Sequence, residues 1–247
     1  INNWPIACLL LLSGRPVLLH WLGSDILSFR EKKASRGWRK WVVSRLAFEK
    51  TIQNLCDSEY LAEELRKLGI SAAVIRTLPD KIHANVQPLP DKFSALAYWP
   101  DHREAFFRGE RIYQLAEMFP DIEFKVVKAA KSKKSVPPNV TFLGECNDMD
   151  SVYRNSSVFI RMPEHDSLCK TVMEALARGR YVIYNKPSIP GCHYADSVEE
   201  CASALKEIMK RTEPNHEGAK YVLENFNVAK EAHKLEDILD AIFENQS

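Results

Sequence analysis

Residues 157–186, SVFIRMPEHDSLCKTVMEALARGRYVIYNK, place two short apolar runs on either side of a helical pattern. Ser157–Met162, centred on Val158, Phe159 and Ile160, reads as a buried strand, and Arg180–Asn185 reads as another. Between them Leu168, Val172, Ala175 and Leu176 recur at helical spacing, with Asp166 where an N-cap would stand and Gly179 where a C′ glycine would end the helix. Strand, loop, helix and strand in this order form the unit of a parallel, doubly wound α/β sheet. Such sheets bind ligands beyond the carboxyl ends of their strands, against helix N-termini, which puts the Pro163–Cys169 loop at a candidate site.

Asp166 and Glu174 flank that helix start, and eight residues at 1.5 Å rise would separate them by about 12 Å along the axis. The span suits a nucleotide-sugar. Free N–H groups and the positive end of the helix dipole favour a diphosphate, and a carboxylate on either side can accept hydrogen bonds from sugar and ribose hydroxyls. Without a ligand the same two residues read as a cap and a solvated helix position.

This segment resembles the donor-site signature of retaining GT-B glycosyltransferases of the "glycosyl transferases group 1" kind. That pattern is an acidic residue, seven residues, then Glu-Ala-x-Ala-x-Gly and a strand; here it is Asp166, Glu174, Ala175, Ala177 and Gly179. Asp166 replaces the usual Glu, and Ser167 and Cys169 stand where the family carries glycines that let backbone approach the diphosphate. A second constellation, Arg103 to Gly109, follows the strand Ser94–Trp99 and resembles the family's G-R-x-x-x-x-K-G, with Arg103 and Arg108 keeping the five-residue offset. In the family this basic pair binds the diphosphate and stabilises the departing nucleotide, the main electrostatic demand when a glycosyl phosphate bond ionises. Two arginines at a helix start also read as surface residues, although cations there oppose the helix dipole.

In chain order, Pro5–Leu12 reads as a helix end and Pro16–Trp21 as a buried strand. Leu22-Gly23-Ser24-Asp25 then turns into a helix; it resembles the family's H-G-S-D loop on the acceptor side of the cleft, and Ser24 or Asp25 reads equally as a cap. Thr51–Cys56 and Ser71–Arg76 read as strands around a helix Glu59–Leu68 capped by Ser58. The segment 77–92, with Pro79, Pro88 and Pro90, reads as a linker. The expected organisation is α/β throughout, with two Rossmann-like parallel-sheet domains of GT-B type: an abbreviated first domain plus linker at 1–90, a nucleotide-sugar-binding domain at 91–225, and a terminal helix at 226–247. In the resembled fold that helix returns to the first domain, which here has only three candidate strands and would present a sheet edge for an oligomer or partner chain to complete.

Composition bounds the partners. A net charge of +1 over 247 residues gives no global case for nucleic acid. Six cysteines without a C-x-x-C pair favour reduced thiols in a cytoplasmic protein, with no disulfide and no zinc expected. Asp148-Met149-Asp150 spells a D-x-D, yet at an expected helix start it reads as a cap rather than a manganese site. Phe29–Lys50 holds eight basic and two acidic residues with Trp38 and Trp41, a composition that fits an in-plane helix on an anionic membrane surface or an amphipathic helix packed on its own sheet.

The resemblance therefore implies metal-independent hexosyl transfer, with retention, from a UDP- or GDP-sugar to the hydroxyl of a glycan or lipid-linked acceptor entering between the domains, with no bound cofactor. Arg103, Arg108 and Asp166 would be catalytic; His165, Ser167, Leu168, Cys169 and Glu174 would hold the donor; Gly23, Ser24 and Asp25 would face the acceptor. A non-catalytic nucleotide-sugar-binding subunit and a nucleotide-sugar epimerase of the same fold are the alternatives.

Overall fold

A computed structural model describes residues 9, 12, 17–23, 25–27, 51–77, 85–132, 135–186 and 189–244. Phe29–Lys50, Ser24, Cys8 and most of Pro5–Leu12 lie outside them. The chain divides into two compact units, one drawn from Ile1–Thr77, His165–Leu168 and Val228–Ser247, the other from Leu78–Glu164 and Cys169–Asn227.

In the first unit β1 (Val17–Trp21), β2 (Thr51–Cys56) and β3 (Ala73–Val74) form a parallel sheet in that order. The helix α1 (Glu59–Arg66) begins as soon as β2 ends, because the Ser58 hydroxyl accepts the Leu61 N–H and satisfies one of the free amides of the first turn. Trp21, Ile26, Cys56, Leu61, Leu65 and Ile70 make the core. The third strand is shorter than Ser71–Arg76 suggests. At its end the Arg76 N–H leaves the sheet and donates to the Glu231 carboxylate at 2.9 Å, and the Arg76 guanidinium reaches the other oxygen at 3.2 Å. Glu231 is the buried residue of the C-terminal helix, Val228–Glu244.

The second unit holds six parallel strands, β4 (Ser94–Tyr98), β5 (Glu123–Val127), β6 (Val140–Gly144), β7 (Val158–Arg161), β8 (Tyr181–Tyr184) and β9 (Cys192–Tyr194), in the order β6-β5-β4-β7-β8-β9. Its helices are α2 (Gly109–Met118), α3 (Met149–Arg154), α4 (Lys170–Ala177), α5 (Val198–Ile208) and α6 (His216–Asn225); the terminal helix of the first unit is α7. The first four residues of β4 and the first three of β7 are all buried, the continuous pattern of strands covered on both faces. The edge strand β9 has no apolar run and was not foreseen.

Two residues after α4 lock this unit. Gly179, at φ +72°, is the C′ glycine expected, and a Cβ there would meet Pro214 and Val86 carbons at 2.9 Å. Arg180 is fully buried, with its guanidinium donating to the carbonyls of Ser156, Arg178, Gln87 and Pro88. Burial pulls its pKa down to about 10, and the four carbonyls take the place of water around a cation that stays charged. Asp148 caps α3 through the Ser151 N–H, the capping role read from the sequence. No helix among the described residues is long and apolar enough to cross a membrane.

Candidate functional site

The order of the larger sheet locates the site. Connections run outward from β4 through β5 to β6 and, from β7, the other way through β8 to β9, so the winding reverses between the neighbours β4 and β7. The crevice beyond the carboxyl ends at such a reversal is where open α/β sheets take ligands. Trp99–Gly109 follows β4 and Met162–Cys169 follows β7, the two segments that carry the sequence motifs. A hydrogen bond from the Glu164 N–H to the Phe106 carbonyl, 2.8 Å, joins them.

The two arginines are held differently. Arg103 ends a short 3-10 turn and lays its guanidinium over the Phe106 ring, 4.1 Å from the centroid. Arg108 is the left-handed residue (φ 54°) before α2, followed by Gly109, where a Cβ would stand 2.6 Å from a Glu104 carbon. Its guanidinium meets Asp196 at 2.5 Å, and Arg111 shares that carboxylate. The Asn185 amide donates to Asp196 as well, at 3.1 Å, and to the Pro163 carbonyl at 3.0 Å. The Asn185 hydrogen bond, and then Arg108, hold Asp196 below the usual carboxylate range. Asp196 was not singled out from the sequence: it lies 88 positions from Arg108, and only sheet pairing brings them together.

The helix α4 starts at Lys170 with Cys169 as N-cap, and Asp166 accepts instead from its neighbour's Ser167 N–H at 3.2 Å. Asp166 is thus not the cap, Leu168 is not on the helix, and the 12 Å axial spacing does not hold. Cys169 offers no side-chain cap; its thiol lies 3.1 Å from the Thr171 hydroxyl. Glu174 sits one turn into α4, half-buried, with the Tyr153 hydroxyl donating to one oxygen at 3.0 Å. Burial, and then the Glu174 charge, push the Tyr153 phenol well above its ordinary pKa, so it remains a donor. Arg178 closes the group, paired with Asp150 and stacked 5.1 Å from the Tyr153 ring.

In the first unit a second polar group forms at the carboxyl ends of β1 and β2. Asp57, 4% exposed, follows β2 and accepts from the Ser167 hydroxyl and from the Leu168 N–H at 3.4 Å. Burial raises its pKa, which those hydrogen bonds and then His20 counter in part. The Ser58 and Ser167 hydroxyls lie 3.0 Å apart, and Gly23, at φ +110°, leaves a gap in which a Cβ would stand 3.1 Å from the Ser167 Cβ. His165 is buried with Nε2 2.6 Å from Glu64 and Nδ1 without a partner. Asp25 accepts the Leu22 and Ile26 N–H groups of its own turn. Asp57, Ser58 and Glu64 were missed as site groups because nothing in their local pattern marks them.

Among the described residues no group of His, Cys, Asp and Glu has the arrangement of a metal site. A cleft of about 570 Å³, lined among others by Tyr181, Cys192 and Arg211, opens at the amino edge of β8 and β9, away from the reversal point.

No protein-family model matches the chain, and no curated protein sequence does. Solved structures do. Sucrose-phosphate synthase from Thermosynechococcus elongatus is similar over 92% of this chain and 68% of its own, with TM-score 0.69 and 15% identity. HepE from Anabaena, solved with UDP-glucose, is similar over 97% and 77%, with TM-score 0.75 and 12% identity. The lipopolysaccharide outer core galactosyltransferase WaaB is similar over 82% and 64%, with TM-score 0.62 and 13% identity. At such identities the likeness is one of fold, and the shares of the other chains match a shortened first domain. The chain therefore has the fold of the GT-B glycosyltransferases, two Rossmann-like parallel-sheet units of which the first is abbreviated.

Proposed function

We propose that the protein is a glycosyltransferase that takes a sugar from a nucleotide-sugar and passes it, with retention, to a hydroxyl of a glycan or lipid-linked acceptor. The observation that carries this reading is the placement of both motifs, Arg103–Gly109 and the approach to α4, at the single reversal point of the larger sheet. The fold neighbours support it, HepE having been solved with UDP-glucose.

In this reading the diphosphate meets the backbone N–H groups leading into α4 and the guanidiniums of Arg103 and Arg108. Positive charge fixed in place before the reaction stabilises the leaving nucleotide as the glycosyl bond ionises. Asp196 keeps Arg108 aimed and offsets part of its charge until the diphosphate arrives. Glu174 accepts the ribose hydroxyls, its carboxylate oriented by Tyr153, and Asp166 receives the transferring sugar. His165 belongs to the loop beside it, and Gly23, Ser24 and Asp25 to the acceptor side. The basic, tryptophan-bearing segment 29–50 brings the protein to an anionic membrane where a lipid-linked acceptor resides.

The deciding experiment is a thermal-shift screen against nucleoside diphosphates and their sugars, followed by donor hydrolysis with the hit. A ligand at a hundred times its Kd stabilises by about 2.7 kcal/mol, readily seen. Stabilisation with hydrolysis supports the enzyme. Stabilisation without hydrolysis supports the second reading, a nucleotide-sugar-binding subunit, which the replacement of two loop glycines by Ser167 and Cys169 favours. No stabilisation by any of them overturns both.

A further inference from the structure

The groups in 165–168 that could greet an anion are already engaged by acidic residues of the first unit. His165 Nε2 is 2.6 Å from the Glu64 carboxylate. The Ser167 hydroxyl donates to Asp57 Oδ1, and the Leu168 N–H points at the same oxygen from 3.4 Å. The acceptor-only carboxylate fixes the direction: the Ser167 proton goes to Asp57, so in the 3.0 Å contact between the two hydroxyls Ser58 Oγ donates and Ser167 Oγ accepts, while Ser58 Oγ also accepts the Leu61 N–H. The carboxylate sits at a strand's carboxyl end, 4% exposed, against the loop.

We propose that Asp57 is an internal stand-in for a donor phosphate, holding the 165–168 loop through the Ser167 hydroxyl and Leu168 N–H that a diphosphate would take. The inference rests on the donor reading above and adds a cost to it. One N–H cannot serve a carboxylate and a phosphate together, and two anions at one donor repel each other. The donor must therefore displace Asp57, and the apparent affinity is the intrinsic one scaled by the fraction of molecules whose loop is released. Burial already raises the Asp57 pKa, so a neutral amide there keeps the shape and loses only the charge.

The test compares the parent chain with Asp57→Asn and Asp57→Ala, by calorimetry with UDP, GDP, uridine and pyrophosphate, and by hydrogen exchange across 165–168. Both variants should bind the diphosphate at least about fivefold more tightly while uridine, which lacks phosphate, is unaffected, and Asp57→Ala should exchange the Leu168 amide faster. Equal or weaker diphosphate binding in both variants overturns the proposal and leaves the donor reading standing. If neither the parent nor either variant binds any diphosphate, the donor reading falls and this proposal falls with it, and faster exchange at Leu168 in Asp57→Ala then reports a structural contact alone. Thermal melts identify a variant that fails to fold, in which case the other carries the comparison.

Discussion

Glu174 and Gly179 show how differently two residues of one motif are constrained. Gly179 adopts φ +72° with Pro214 and Val86 carbons 2.9 Å from where a Cβ would be, so Gly179→Ala adds left-handed strain to a collision. The expected loss is about 2–4 kcal/mol of stability, measured by urea unfolding. Among the described residues the Glu174 carboxylate is held by Tyr153, and Glu174→Ala should leave the fold intact while weakening nucleotide binding by about 1.5–3 kcal/mol, the worth of a charge-assisted hydrogen bond. Calorimetry returning parental affinity would remove Glu174 from the site. The helix stop at Gly179 was legible because its signal is local, and a motif spacing singles out Glu174 in the same way, its ribose role being the proposal above. Asp57 and Glu64 were not. Their partners Ser167 and His165 lie 110 and 101 positions away, and no periodicity reports a contact at that range.

At the scale of elements, the strands of the larger sheet and their helices were readable because buried parallel strands are short apolar runs punctuated by helical patterns. Where the reading slipped, a polar contact had outcompeted propensity. The helix after β7 begins four residues past Asp166 because that carboxylate turns to the adjacent Ser167 amide, and β3 stops because Arg76 turns to α7. The Arg76 contact has a pH signature. Burial alone would raise the Glu231 pKa, but the Arg76 N–H, Lys234 at 2.8 Å and the Arg76 charge outweigh it and hold the carboxyl below its ordinary 4.5. A depressed folded-state pKa contributes stability above the unfolded value that is lost as pH falls through the folded one. Glu231→Gln should therefore cost about 1.5–3 kcal/mol at pH 7. The gap to the parent should close as the pH is taken from about 4.5 downward, and a gap constant across that range would show that the charge contributes nothing.

For the molecule as a whole, the α/β class and the winding of the larger sheet follow from the order of patterns along the chain, and the resemblance placed the terminal helix with the first domain, whereas nothing in the local pattern of His165–Leu168 marks it as part of the first unit. The segment Phe29–Lys50 lies outside the described residues, and its composition carries the expectation for surfaces. Co-sedimentation with liposomes should require anionic lipid, since each basic residue near such a surface contributes about 1 kcal/mol. It should weaken as salt shortens the screening length, and fall when Arg39→Glu and Lys40→Glu are combined. Equal binding to neutral vesicles, or none to either, would point to a soluble acceptor.

The tie between Arg76 and Glu231 also sets an order of events during synthesis. The two residues are 155 positions apart, and a ribosome adding roughly 5–20 residues per second needs about 8–30 s to travel between them. Throughout that interval the Arg76 amide must find its partner in water, while the second unit, whose last residue is Asn227, emerges in full before α7 is made. Of the two units, the one whose strands are translated earlier is the one completed later.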